Sequence, residues 1–274
     1  MSNPEKINHF KIWEIKDGSK PEKEASYSLF DQFHKGKGNE LEGTPIKIEW
    51  LANPVEKVKR TGKTRDIHKI RPSTAYLHLT GWKMEFKAPV RAPGKVQIRN
   101  QLTPKEGVEW TLGAPEYLLV PAAKNPLSKL DEDKFKESYT DKIDHYLCYT
   151  AQGDSVPCDL TLKDQIDVLY EPEPKGPQHV KGVRELISKL EPKFLGVPVQ
   201  KQKNTEKDQP APDLPDGNTH LAIYELFSPK PLPEKRELKP PKQYATKDQF
   251  ATLTSSVWRS LYLAVPSTKE KKNG

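Results

Sequence analysis

Four histidines open four similar stretches of this chain, His9 to Trp13, His78 to Trp82, His145 to Tyr149 and His220 to Tyr224. Each stretch leads to an acid or amide followed by glutamine: Asp31-Gln32, Asn100-Gln101, Asp164-Gln165 and Asp248-Gln249. Each then closes on Leu-x-x-Pro-x-x-Lys: Leu51/Pro54/Lys57, Leu118/Pro121/Lys124, Leu195/Pro198/Lys201 and Leu263/Pro266/Lys269. Histidine, carboxylate and lysine are the side chains of acid–base work and metal binding, so the pattern invites a chemical reading. The spacing argues against it. The histidines recur about once per 70 residues, and none has a second histidine or a carboxylate at ligand spacing.

A structural reading fits each position better. The opening histidine is expected inside or at the rim, bonded to backbone, and it shares a strand face with the aromatic four residues later (Trp13, Trp82, Tyr149 or Tyr224). Those aromatics are expected in the core; exposed in a row, they would instead offer a surface for glycan or protein. The acid or amide can accept from the backbone two residues on and make a bend, a role that Asn100 fills as well as Asp. Calcium ligation would want several more oxygens. The closing proline is expected to end a strand or mark an edge, and the lysine after it to be solvated. The chain shows no nucleophile–base–orienter set, phosphate-cradling glycine loop or His/Cys metal cluster. The expectation is a protein that is not an enzyme, with no metal and no cofactor.

The two cysteines, Cys148 and Cys158, flank Gln152-Gly153-Asp154-Ser155. That reads as a hairpin across which they could meet, so a disulfide is one option and two free thiols the other.

These residues need elements to hold them. A motif set that recurs four times is an architectural statement: four tandem units at 7–58, 75–125, 143–203 and 219–269. Within the units, short alternating runs read as strands, as at His9–Ile15, Tyr76–Phe86 and Val257–Val265. The third unit is longer, with 33 residues from Gln165 to Pro198 against 22, 20 and 17 in the others. Inside that insertion Val183, Leu186, Ile187 and Leu190 stand at helical spacing, which predicts a short amphipathic helix over Val180–Leu190, ended by Pro192. A second short helix is predicted over Leu127–Tyr139, capped by Ser128. Asn204–Asn218 reads as a linker, and Pro229–Pro241 as a proline-rich insertion.

The totals agree with a β-protein. Of 274 residues, 34% are hydrophobic and 30% charged, with 26 prolines, which favours short strands and loops over long helices. Mean hydropathy is −0.82, and no run of about 18 apolar residues is present to span a membrane as a helix. No apolar segment follows Met1, so no secretory signal is visible, although trimming would give the same appearance. The net charge is +7, and between Lys57 and Arg71 seven basic residues face one acid, Asp66. Beside Gly62 and Pro72 this reads as a solvated connector and not as a nucleic-acid surface, which would interleave aromatic platforms.

The units resemble an uncharacterised family of short tandem β-repeats found in secreted proteins of environmental bacteria. Those repeats open His-aromatic-x-Cys-aromatic or Lys, carry Asp-Gln-Phe, and close Leu-Cys-x-Pro-x-x-Lys. The resemblance covers all four units, is best in the third, and brings no known activity. The family's two cysteines would fall on Ile12 and Ala52, Gly81 and Leu119, Cys148 and Gly196, and Ile223 and Ala264. Each such pair joins a larger residue to a very small one. If the family bridges those cysteines, the paired positions should touch here as apolar contacts of similar volume. The resemblance implies an extracellular or cell-surface protein. A chain without bridges or signal, if complete as it stands, would suit the cytoplasm.

Taken together, the sequence predicts an all-β protein of four units of three to five strands, packed as sandwiches or small barrels, with one or two short helices in insertions. Units of about 50 residues bury too little surface to stand alone and should pack on one another. Two double-unit sandwiches or barrels are the first expectation and a four-bladed ring the second. The expected function is a structural or assembly subunit of a filament, coat or surface layer, partnered by copies of itself or by another protein. The alternative is a carbohydrate- or protein-binding module using exposed aromatics.

Overall fold

The computed structural model describes residues 7–34, 38–61, 64–70, 77–126, 143–168, 185–204, 218–228 and 237–271. The predicted helix at Leu127–Tyr139 and nearly all of the linker Asn204–Asn218 lie outside them. The described chain is all-β apart from one helical turn, α1 (Gln165–Val168). Its strands join in one thirteen-stranded antiparallel sheet in place of two separate sandwiches.

The strands fall into three kinds. Four carry the opening motif: β1 (Phe10–Lys16), β5 (His78–Phe86), β8 (His145–Gln152) and β11 (His220–Phe227). Four carry the closing motif and are much longer: β3 (Leu41–Thr61), β7 (Val108–Pro126), β10 (Glu185–Lys203) and β13 (Thr252–Lys271). Four lie between them in sequence: β2 (Tyr27–Asp31), β6 (Gly94–Arg99), β9 (Val156–Asp164) and β12 (Glu237–Lys247). The remaining strand, β4 (Thr64–His68), follows β3.

Opening and closing strands alternate in a closed circuit. β1 pairs with β3, β3 with β5, β5 with β7, β7 with β8, β8 with β10, β10 with β11, β11 with β13, and β13 with β1 again. Closure leaves those eight strands no unpaired edge, the usual liability of a sheet. The in-between strands add a second level of connection. β2 and β9 each pair with both β3 and β10, and β6 and β12 each pair with both β7 and β13.

The registers repeat around the circuit. Phe10, Leu79, Tyr146 and Leu221 face Pro54, Pro121, Pro198 and Pro266 respectively. Two residues on, Ile12 faces Ala52, Gly81 faces Leu119 and Ile223 faces Ala264. Leu147 faces Val197, which carries Cys148 alongside Gly196. The Ile12/Ala52, Gly81/Leu119 and Ile223/Ala264 pairs therefore touch, as direct antiparallel partners must, with Cα atoms roughly 4.5–5.5 Å apart. Gly81 is the tightest: a Cβ there would lie 2.8 Å from Trp50 Cβ.

Alternation sends neighbouring residues to opposite faces of the circuit. One face carries Phe10, Ile12, Trp50, Ala52, Leu79, Leu119, Tyr146, Cys148, Leu221 and Ile223 in a smaller cluster. Four aromatics from equivalent places meet there: Trp50 stacks on Tyr117 at 3.7 Å and meets Phe194 and Tyr262 at 5.2 and 5.4 Å. The other face carries Trp13, Leu51, Trp82, Leu118, Tyr149, Leu195, Tyr224 and Leu263, packed with the in-between strands through Leu29, Ile98, Leu160 and Tyr244.

Three sequence expectations give way here. Glu185–Leu190 is the start of β10 and not helix, and Val180–Arg184 lies outside the described residues. A register shift between Ile187 and Lys189 turns both Ile187 and Leu190 into the same cluster, so a bulge produced the three-residue spacing that imitates a helix. The basic connector is a β-hairpin, with Lys57 to Thr61 paired against His68 to Thr64. The closing prolines sit well inside long strands. Each marks the place where the strand exchanges partners on one side: β3 pairs with β5 as far as Ala52 and with β9 from Val55, and β7 pairs with β8 as far as Leu119 and with β12 from Ala123. A residue without an N–H costs little where one ladder has ended and the next has not begun.

A network of the repeated polar residues

The four bend residues act as the sequence implies, and do more. Asp31, Asn100, Asp164 and Asp248 each accept, through Oδ1, from the backbone N–H two residues on, at 2.7–2.8 Å. The second side-chain atom reaches the opening aromatic of the unit two places away. Trp13 Nε1 donates to Asp164 at 2.6 Å, Trp82 Nε1 to Asp248 at 2.8 Å, and Tyr149 Oη to Asp31 at 2.5 Å. Asn100 Nδ2 donates to Tyr224 Oη at 2.9 Å, which a carboxylate could not do. Thr80 also donates to Asp248, whose carboxyl burial pushes up against the pull of these donors.

Gln, His and Lys form the second set, this time between adjacent units. Gln32 Nε2 donates to His220 Nε2, while His220 Nδ1 donates to the Asn218 carbonyl at 3.0 Å, which fixes the neutral ring with its proton on Nδ1. Gln249 Nε2 donates to His145 Nε2 at 2.6 Å. Lys57 Nζ donates to Gln101 Oε1 at 2.8 Å and to His9 Nε2 at 3.3 Å, and Lys124 Nζ donates to Gln165 Oε1 at 3.1 Å. Burial holds His145 and His220 down to about 3, helped by Lys201 and Lys269 respectively, and drops His78 well below its ordinary value beside Lys124.

The closing lysines are therefore not freely solvated: Lys57 is buried, and Lys124, Lys201 and Lys269 are half-buried. Lys57 is 2% exposed, and burial lowers it to about 8. Burial lowers Lys124 to about 8 and Lys201 to about 7, against the opposing pull of Asp164 and Asp248. Three of the four lie against aromatic rings: Lys124 over Tyr244, Lys201 over Tyr27 and Phe250, and Lys269 over Phe33.

The remaining sequence candidates are accounted for as follows. Trp13, Trp82, Tyr149 and Tyr224 are all buried, at 2% exposure or less, so they present no row to a ligand and the binding reading built on exposed aromatics loses its basis. Cys148 and Cys158 are free thiols. Cys148 belongs to the smaller cluster, while Cys158 packs against the larger one and points its Sγ at the Ile187 carbonyl. β8 and β9 do not pair with each other, so no hairpin brings the thiols together. Among the described residues no three His, Cys, Asp or Glu side chains gather as a metal site.

What sequence reasoning missed is the partnering. The bend is local and legible two residues away. The aromatic that completes it lies 118 to 166 residues off, beyond the reach of any local pattern. The one available signal was the shared register of Gln, His and Lys in every unit, which reads as contact only once the circuit is known. Comparisons with family models, with curated proteins and with solved structures find no match.

Proposed function

We propose that this is a non-enzymatic structural protein, a subunit that assembles through its sheet. The reading rests on one observation: the side chains with chemical potential are spent inside the fold. The Gln of the repeated motifs bonds to His or Lys, and the Asp to the buried opening aromatics.

The outside of the sheet supplies a contact surface. Among the described strands only β4 has a single partner, so its outer edge is open to strand addition. A cross-strand row runs to that edge: Leu186 faces Thr161, Thr161 faces Val58, and Val58 faces Ile67. Its two ends are exposed apolar side chains, Leu186 at 45% and Ile67 at 51%. An exposed isoleucine on an open edge is what a protein that stays alone avoids. A second copy of the chain is the proposed occupant. Ile67→Lys tests this, since Ile67 is exposed and its loss should leave the fold intact. In the wild type, light scattering is expected to report species larger than one chain, and in the variant a single chain of 31.2 kDa. Assemblies of unchanged size and stability in the variant would remove β4 as the contact.

A further inference from the structure

Lys57 differs from its three counterparts. Among the described residues no aromatic ring covers it: the position after Gln101 is Leu102, where the corresponding positions after Gln32 and Gln249 are Phe33 and Phe250. Its ammonium donates only to neutral partners, Gln101 and His9; the carboxylate of Asp66 on β4 acts on it from beyond ion-pair distance. A charge removed from water normally has an ionic partner or gives up its proton.

Both neutral partners line a cavity of about 330 Å³. The other polar walls are His68 from β4 and Arg99 and Asn100 at the end of β6, with Thr268 from β13 opposite. No carboxylate is among the described lining residues. The rings of His9 and His68 meet edge to face at 4.1 Å, so two imidazoles sit side by side at the wall. A guanidinium, two imidazoles, two carboxamides and a hydroxyl, with a buried ammonium one bond behind, make a donor-rich and acid-free cleft. That is the inverse of a cation site, and too small for a polymer.

We propose that this cavity binds a small oxyanion of the phosphate class, free or as a monoester. Arg99 and His68 would contact the oxygens directly, and Thr268 and the Gln101 amide would complete the donors, since both N–H groups of Asn100 are already given to Tyr224 and Ser267. The anion would add, through His9 and Gln101, to the negative charge that Lys57 otherwise receives only at a distance from Asp66. Guanidinium and oxyanion match in geometry as well as in charge.

The test is calorimetric titration of the full chain with inorganic phosphate and, in a second arm, methyl phosphate, with sodium chloride at equal ionic strength as reference. Saturable binding of either phosphate above the chloride reference is expected; tighter binding of the free anion assigns the site to phosphate itself, and tighter binding of the ester to a phosphorylated small molecule. Arg99→Ala, at an exposed side chain, is expected to weaken that binding about tenfold or more, the cost of a charge-assisted contact. Lys57→Met should weaken it too, and if that variant does not fold, Arg99→Ala decides alone. No heat above the chloride reference, or equal affinity in Arg99→Ala, overturns the proposal.

Discussion

At Asp164 a single carboxylate holds a bend with one oxygen and the indole of Trp13 with the other, across 151 residues of sequence. Removing either partner strands a buried polar group, which costs about 1–3 kcal/mol. Asp164→Ala and Trp13→Phe are therefore each expected to lower urea stability by about that amount, and the double variant by clearly less than their sum. Strict additivity would mean the two side chains are not coupled. The buried and half-buried cations make a second demand. Lys57, Lys124 and Lys201 are held below the ordinary 10.5, so the fold carries their full stability only above that value and loses it as pH falls toward 8 and 7. His145 and His220, held to about 3 from 6.5, take away more as pH falls from 6.5 downward. Tyr262, raised to about 12 by burial, limits the rise on the alkaline side, because its unfolded phenol ionises near 10. The melting temperature is expected to climb from pH 5 to pH 9; a maximum near pH 6 would contradict the buried-lysine reading. Of all this, the bend alone was legible beforehand. A lysine three residues past a proline looks like surface, and only the face it takes in a paired strand shows otherwise.

The long closing strands are the elements that organise the rest. Each meets an opening strand on either side and then passes to an in-between strand from the unit two places away, with proline at the exchange. Alternation announced most of the strands, and the helix predicted at Val180–Leu190 failed because a bulge shifts the period from two to three at Ile187. The basic stretch after Pro54 looked like a linker because its outward residues are charged; Lys59 opposite Asp66 in the hairpin shows that charge and strand are compatible. Close approach is the other requirement at this level. Gly81 lies against Trp50, and the Cβ of Gly81→Ala would sit 2.8 Å from Trp50 Cβ and 3.2 Å from Leu119 Cδ2. Overpacking of this kind costs about 1–3 kcal/mol. A lowered denaturation midpoint is expected for Gly81→Ala; an unchanged one would mean that β3 and β5 can separate freely at this crossing.

For the whole molecule, the circuit makes first and last strands neighbours, since β1 lies between β3 and β13. Each in-between strand bridges two closing strands, so the polar motifs read as the fastenings of those crossings. All-β character was legible from proline content and alternation. The closed order of the strands was not, because antiparallel partners with long connections leave no local trace. The proposed assembly role depends on the remaining open edge at β4 and the exposed Ile67 beside it. The most direct test is the mass and shape of the purified protein by light scattering with negative-stain imaging. The account expects ordered species of many chains, as filaments or closed shells. A single chain of 31.2 kDa that stays monomeric as concentration is raised would contradict it.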